Sequence, residues 1–405
     1  MNRKLYDIFN YFMGLGLALT LVLFLLNKFT ISADPSNWQT TPASLEIRGV
    51  WLTNVASGVL FAPWGIKRAM HQLSQLNFNT VYPVVWNRGR TFYPSVIAKQ
   101  VTGKAEEPLL KLAHLGQDTL AEIIEQGHRQ GLRVIPWFEY GFMAPKNSQL
   151  VKLHPNWLSH SQKPSSVREV WLNPLHPEVQ KFILELIIEV VSNYDLDGIQ
   201  LDDHFGMPVE LGYDPFTLGL YQQEHQGKSP PKDPHDSQWM RWRAQKITNF
   251  MQDIFQAVKS VKPECLVSLS PNSKSFAYRN YLQDWHSWVE RGLVEELILQ
   301  VYRRDLSSFQ AELVKPELYF AHSRMPLGVA ILTGTPRLPV AIETIQQQVQ
   351  VVRDRGFDGV SFFYWESLWG YIAPESPRKR RRAFMAIFSS PEVVQGGTQA
   401  EQSLE

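Results

Sequence analysis

Between residues 46 and 388 the chain alternates two patterns. Short apolar runs rich in β-branched and aromatic residues occupy 47–53, 80–86, 133–140, 198–203, 266–271, 297–302, 327–333 and 359–365. Stretches with helical spacing occupy 66–76, 119–130, 179–194, 238–261 and 342–355. The runs are uniformly apolar rather than alternating, as expected of strands buried on both faces of a parallel sheet. Several begin after a similar junction, Gly131-Leu-Arg-Val, Leu196-Asp-Gly-Ile and Gly356-Phe-Asp-Gly-Val, where glycine ends the preceding helix. Eight strands alternating with helices predict a single (β/α)8 TIM barrel; a doubly wound open sheet is the alternative. No Gly-rich phosphate fingerprint follows the first run.

The two ends read differently. Arg3 and Lys4 precede an apolar stretch over 9–26, followed by Asn27-Lys28. This length is near the lower limit for a membrane span. We expect 1–33 to be an N-terminal transmembrane signal anchor, with cleavage near Ala33 as the alternative. Its positive end stays inside, which places the rest outside the cytoplasm, tethered to the inner membrane or released into the periplasm. Residues 34–45 read as a linker, 46–388 as the barrel and 389–405 as a disordered tail. The run Arg378-Lys-Arg-Arg-Arg382 reads as the solvated face of the last helix; contact with an anionic envelope surface is the alternative.

Composition narrows the function. Lys and Arg total 40 against 39 Asp and Glu, which leaves no electrostatic footprint for nucleic acid. The 13 Trp, 14 Tyr and 22 Phe supply rings suited to stacking on sugar faces as well as a core. The single cysteine, Cys265, excludes an internal disulfide and sits in an apolar run, as a buried hydrophobe would.

The strand ends carry the candidate chemistry. The fourth run, Leu196-Asp-Gly-Ile-Gln-Leu-Asp-Asp-His204, ends in two carboxylates and a histidine. Glu139 closes the third run and Glu366 the eighth. Carboxylates, amides and rings converging on a barrel mouth suit glycoside hydrolysis, in which one carboxyl donates a proton and another stabilises or attacks the anomeric carbon. Strand alternation puts Gln200, Asp202 and His204 on one side, so Asp202 is the principal inward carboxylate, with Asp203 supporting it. Trp86, Trp137, Tyr140, Tyr302, Tyr364 and Trp365 are candidates to line sugar subsites. Asn54, Asn272 and Gln300 are candidates to bond hydroxyls, and His204 to touch substrate. The loops 141–177 and 205–237 are the longest and should wall a cleft.

No cofactor and no metal centre is expected. The histidines are scattered, without HExxH or paired cysteines. A serine hydrolase is excluded because there is no nucleophile elbow. Two other classes stay open: a non-catalytic glycan-binding protein on a retired barrel, and a metal-dependent polysaccharide deacetylase using Asp202, Asp203 and His204.

The sequence also resembles a known family. Glu46-Ile-Arg-Gly-Val-Trp-Leu-Thr53, Phe78-Asn-Thr-Val81, Phe92-Tyr-Pro-Ser95, Gly131-Leu-Arg-Val-Ile-Pro-Trp-Phe138, Trp171-Leu-Asn-Pro-Leu-His-Pro-Glu-Val179, Asp197-Gly-Ile-Gln-Leu-Asp-Asp203 and Gly359-Val-Ser-Phe-Phe-Tyr-Trp-Glu-Ser-Leu368 are similar, in order and spacing, to the bacterial glycosyl hydrolase-like 10 family of TIM-barrel proteins. The resemblance implies a glycosidase of the cell envelope. One branch includes a divisome-associated lipoprotein that cleaves denuded peptidoglycan glycan strands, which implies a β-linked, amino-sugar substrate. Asp202, Asp203 and Glu366 match the family motif, whereas many members carry Asn near Glu139. Chitinase-type barrels carry Asp-Gly-x-Asp-x-Asp-x-Glu on strand four. Here that spacing gives Gln200, Asp202 and His204, so the proton donor is expected elsewhere, at Glu366 or then Glu139.

Overall fold

In the computed structural model, which describes residues 46–55, 57–62, 64–163, 169–369 and 372–389, each of the eight apolar runs contains a strand. These are β1 (Ile47–Leu52), β2 (Thr80–Pro83), β3 (Arg133–Val134 and Trp137–Phe138, interrupted at Pro136), β4 (Gly198–Asp202), β5 (Leu266–Ser270), β6 (Glu296–Gln300), β7 (Leu327–Leu332) and β8 (Gly359–Phe363). All pairings between them are parallel. The two outermost segments of the nine-segment sheet are the halves of β3: the first half pairs with β2 and the second with β4. The sheet therefore closes on itself. The segments expected to be an anchor (1–33) and a linker (34–45), and residues 390–405, lie outside the described residues. Among the described residues no helix is long and apolar enough to cross a membrane.

The helices follow from local signals. Pro177–Asn193 begins with proline at its first position, where the missing N–H costs nothing, and buries Val179, Phe182, Ile183, Leu186, Ile187 and Val190 as one stripe. In Ser237–Val261 the Asp236 carboxylate accepts from the N–H groups of Gln238 and Trp239. Arg243 of this helix is fully buried with no acidic partner among the described residues. Its guanidinium instead donates to the carbonyls of Val209, Leu211 and Pro234, pinning the loop after β4. Burial lowers its pKa to about 10.

The barrel interior is polar and hydrogen-bonded. Trp51 Nε1 donates to Gln200 (2.8 Å), Gln200 Nε2 to Ser268 (3.0 Å), Ser268 to Glu296 (3.0 Å), and Arg133 to the other oxygen of Glu296 (2.8 Å). This column ties β1, β3, β4, β5 and β6 together beneath the barrel mouth. Asp197 does a similar job at the other end, accepting from the Val134 N–H (2.7 Å) and from His128 (3.0 Å).

One residue of the basic run departs from expectation, while Arg378, Lys379 and Arg382 are exposed as expected. Arg380 is wholly buried rather than solvated. It donates to the carbonyls of Leu368, Val340, Thr333 and Ser367 and pairs with Glu375, so it clamps the segments after β7 and β8 onto the last helix, Pro377–Ile387. Cys265 is buried, and burial pushes its thiol up to about 11, which leaves it inert as a nucleophile.

Candidate active site

Two adjacent strands, β3 and β4, bring three carboxylates to one end of the barrel. Each is held by different partners. Glu139 is buried just beyond β3; its Oε2 accepts from Thr53 Oγ1 (3.0 Å) and Asn87 Nδ2 (2.5 Å). Asp202 is buried at the last position of β4; its Oδ1 accepts from Gln300 Nε2 (2.7 Å) and from the Asp203 N–H (2.6 Å). Asp203, half-buried, accepts from Asn272 Nδ2 (2.6 Å) on Oδ2, and its Oδ1 lies 3.0 Å from Nδ1 of His204. That last contact is an ion pair with an angle outside hydrogen-bond geometry.

These partners separate the protonation states. Burial pushes Glu139 up to about 7, more than its hydrogen bonds to Thr53 and Asn87 and the nearby His204 pull it down. Burial, together with the charge of Asp203, drives Asp202 well above the usual carboxylate range. Burial also opposes the charge of Asp203, but His204 and the hydrogen-bond donors around it outweigh that, and Asp203 falls to about 2. Burial opposes the His204 cation as well; Asp203 outweighs it and raises the imidazole. Tyr302 joins the cluster: burial and then the charges of Asp202, Asp203 and Glu139 raise its hydroxyl far up. The mouth thus holds one firmly ionised carboxylate, one whose burial favours the neutral form and one, Glu139, poised near neutrality.

The backbone that makes this possible is close-packed. Gly141 adopts φ +48°, and a Cβ there would lie 2.5 Å from the His204 carbonyl. The loops after β3 and β4 meet at that point, where the Phe142 N–H donates to the same carbonyl (3.3 Å). Further out, Asp214 accepts from Ser159 (3.2 Å), Asn173 (3.0 Å) and Thr217 (3.0 Å), stapling the two long loops together. Gln283, from the loop after β5, donates to the carbonyls of Asp202 and Phe205 and fixes the end of β4.

The other candidates fall in two groups. Asn272 and Gln300 spend amide protons on Asp203 and Asp202, so they orient carboxylates. Asn54 accepts from Asn87 (2.8 Å), next to Glu139. Trp137 and Tyr302 pack against Phe363 at the floor of the mouth, with the Trp137 indole N–H buried and unpartnered. Tyr140 stacks on His204.

A second group packs within or against the core. Trp86 is buried against Phe182 of a covering helix, and its indole donates to Gly141 O (2.9 Å), so the structure places it in the core rather than in a subsite. Tyr364 is likewise buried, and Trp365 packs edge-on against Trp369. Glu366 Oε1 accepts from Ser57 Oγ (2.5 Å) and from the N–H groups of Gly58 (2.9 Å) and Val59 (3.1 Å). Among the described residues no hydrogen bond or ion pair joins Glu366 to Glu139, Asp202 or Asp203. Its Oε1 caps the turn after β1, while its Oε2 is buried without a partner and burial raises the carboxyl above its ordinary range.

Sequence reasoning left out a further group: Thr53 and Asn87, which hold Glu139, Trp171, whose ring lies beside His204, and Tyr281, whose ring lies beside Trp171. Thr53 and Asn87 sit at strand ends, which was the available signal. Trp171 and Tyr281 come from a short added strand and a short helix, outside the eight apolar runs. As to metals, Asp202, Asp203 and His204 each offer one ligand atom within 4.8 Å of the others. Asp203 raises the His204 imidazole, and a metal ligand must be neutral, so a cation there would have to displace that proton.

With this geometry in hand, the comparison with known proteins is decisive for the family. The glycosyl hydrolase-like 10 model matches residues 46–352. The chain belongs to that family. The match stops short of β8, which the motif resemblance had included. Glycosyl hydrolase DigH of Escherichia coli K12 is 26% identical over 348 residues, covering 72% of this chain and 74% of that protein. Glycosyl hydrolase YngK of Bacillus subtilis is 25% identical, covering 70% of this chain and 58% of that one. Among solved structures, the PgaB (BpsB) glycoside hydrolase domain from Bordetella bronchiseptica superposes with a TM-score of 0.59 at 12% identity, over 88% of this chain and all of that domain. The catalytic domain of β-amylase from Paenibacillus polymyxa also gives 0.59, at 10% identity over 85% of this chain and 99% of that one. These likenesses establish the barrel fold that glycosyl hydrolase-like 10 proteins share with glycoside hydrolases.

Proposed function

We propose that the chain is a glycosidase that cleaves peptidoglycan glycan strands, using Glu139 as proton carrier and Asp203 as the ionised carboxylate. The observation that carries this is the convergence of three carboxylates from β3 and β4, each with its own set of partners. Protonated Glu139 gives its proton to the glycosidic oxygen as the bond to the anomeric carbon breaks. The charge of Asp203 stabilises the oxocarbenium ion that develops. Water then adds its hydroxyl to the anomeric carbon, and its remaining proton restores Glu139. Burial and the charge of Asp203 favour the neutral form of Asp202. This assigns the leading role to Asp203 rather than Asp202, and prefers Glu139 to Glu366 because Glu139 shares the β3–β4 end of the barrel with the aspartates, whereas three donors of the turn after β1 hold Glu366 Oε1 and leave its Oε2 buried without a partner.

The substrate assignment rests on the motif resemblance, one branch of which cleaves denuded strands. The compartment rests on Arg3 and Lys4 ahead of the apolar stretch 9–26: we propose that this segment holds the barrel at a membrane, outside the cytoplasm. The test incubates the purified chain, Glu139→Gln and Asp203→Asn with glycan strands bearing or lacking stem peptides, and counts new reducing ends. Release by the unaltered chain alone is expected, faster on bare strands. Binding without release by the unaltered chain would instead establish a glycan-binding protein.

A further inference from the structure

Three leucines of one short helix face water. In Pro108–Ala113 and the turn that closes it, Leu110 is buried, while Leu109, Leu112 and Leu115 are 64%, 71% and 90% exposed. Their spacing of three puts them on one face. The turn Val59–Phe61 packs beside this helix, and the Leu60 carbonyl lies 2.7 Å from Nε2 of His114. Four positions beyond Leu60, Trp64 is 72% exposed. Single exposed apolar side chains are ordinary, but four large ones on two adjoining segments are not.

Leu115 is the most telling of them. It adopts φ +52°, the left-handed conformation in which helices usually end on glycine or asparagine, and the Gly116 N–H closes the helix on the Lys111 carbonyl (2.8 Å). A leucine there bears a backbone cost, and its exposed side chain recovers nothing by burial within the chain.

Charge is sorted around the same segments. Between 64 and 118, Lys67, Arg68, Lys99, Lys104 and Lys111 are exposed. The acidic residues of this stretch, Glu106, Glu107 and Asp118, are turned inward. Glu106 is buried, 3.7 Å from Lys111. Glu107 caps the leucine helix and pairs with Arg90, and Asp118 caps the next helix and accepts from Tyr194. The outer surface is therefore an apolar ridge among cations, within a chain whose charges otherwise balance at 40 to 39. Such a ridge complements the boundary of an anionic lipid bilayer, where leucine and indole enter the acyl edge and lysines meet the headgroups.

We propose that Trp64, Leu109, Leu112 and Leu115 rest in the surface of an anionic bilayer, the same one that holds segment 9–26. This rests on the membrane placement proposed above and adds which flank of the barrel meets the lipid. The 19 residues 27–45 lie between the apolar stretch and Glu46 and span at most ~65 Å. A tether of that length keeps the barrel at a high effective concentration near the lipid. Four side chains then suffice for contact, where an untethered protein needs a larger area.

The test keeps the full chain. Leu112→Cys is labelled with an environment-sensitive dye, Cys265 being buried and inert. The protein is reconstituted into vesicles of phosphatidylcholine with or without phosphatidylglycerol, and with or without bromine on the acyl chains. A blue shift and quenching by brominated lipid are expected at 112, stronger with phosphatidylglycerol and weakened by salt. Neither is expected for the same dye at Gln256→Cys, on the helix between β4 and β5. Adding Leu109→Ser and Leu115→Asn should lower the lipid-contacting population roughly tenfold per leucine. The melting temperature should not fall, because asparagine tolerates φ +52°. Leu109→Met should keep the contact. A chain that floats with the vesicles while the dye at 112 stays unquenched would overturn this surface alone. A chain that does not float with them would overturn the membrane placement and the surface together. A concentration-dependent blue shift without lipid would assign the ridge to a second copy and overturn the lipid contact.

Discussion

Nδ1 of His204 lies 3.0 Å from Oδ1 of Asp203 but 4.0 Å from Oδ2 of Asp202, so the cation sides with one of two adjacent carboxylates. Asp203 also has the Asn272 amide; Asp202 has no cation that close. The two aspartates should therefore respond differently to the same substitution. Asp203→Asn removes a charge and should lower the rate of reducing-end release about 10²- to 10⁴-fold. Asp202→Asn replaces a carboxyl whose neutral form is favoured by an amide of like shape and should cost less than about tenfold. Comparing kcat for the two variants checks the assignment; a reversed order would return the leading role to Asp202.

Glu139 makes a prediction in pH. Its carboxyl is held up to about 7 by burial, so activity that needs its proton should fall as pH rises through that value. Glu139→Gln should abolish this limb and cost about 10²- to 10⁴-fold in rate.

The same group has a stability signature of definite sign. Unfolded, it loses its proton above ~4.3, whereas folded it keeps it up to about 7. The folded state binds more protons between those values, so this group makes stability decline as pH rises through the window. Asp203, lowered to about 2, acts in the opposite sense: its contribution is present above an unfolded value of ~3.9 and is lost as pH falls toward 2. Urea unfolding across pH, with Glu139→Gln and Asp203→Asn as references, separates the two.

Arg380 is a structural prediction. Replacing it by methionine strands four carbonyls and Glu375 in the interior. A loss of about 3–5 kcal/mol in urea unfolding is expected, as for a broken buried pair.

Gly141→Ala tests how closely two loops must approach. The left-handed backbone alone costs about 1–2 kcal/mol, and the added methyl meets the His204 carbonyl. Thermal melts should show the destabilisation, and the pH profile should shift because His204 moves relative to Asp203.

The deacetylase alternative is tested in the same assay. Reducing ends should appear without acetate, and a chelator should leave their rate unchanged. Acetate release that the chelator blocks would place a cation between Asp202, Asp203 and His204.

Much of this was legible in the chain. The apolar runs marked all eight strands, although the inward residues Gln200, Ser268 and Glu296 that those strands also carry are polar and satisfy one another inside the barrel. The ionisable end of β4 pointed to Asp202, Asp203 and His204. What periodicity could not show was who pairs with whom. Glu366 looked equivalent to Glu139 at a strand end, yet three donors from the turn after β1 occupy one of its oxygens. Trp86 looked like a sugar platform, yet Phe182, nearly a hundred positions away, covers it. Arg380 sat in a basic run and proved buried, because its carbonyl partners come from segments that are scattered in sequence. Trp171 and Tyr281 carried no mark, since they sit on a short added strand, Glu169–Trp171, and a short helix, Lys274–Tyr281, outside the eight apolar runs.

Barrels of this kind are commonly diversified by exchanging one loop at a time over a constant scaffold. The staple at Asp214 limits that here. Ser159 and Asn173 belong to the loop after β3, Asp214 and Thr217 to the loop after β4, and the bonds among them are buried. A graft that replaced either loop would leave the other's polar groups without partners in the interior. The two loops are a single transplantable module, and an engineer seeking a new specificity must move them as a pair.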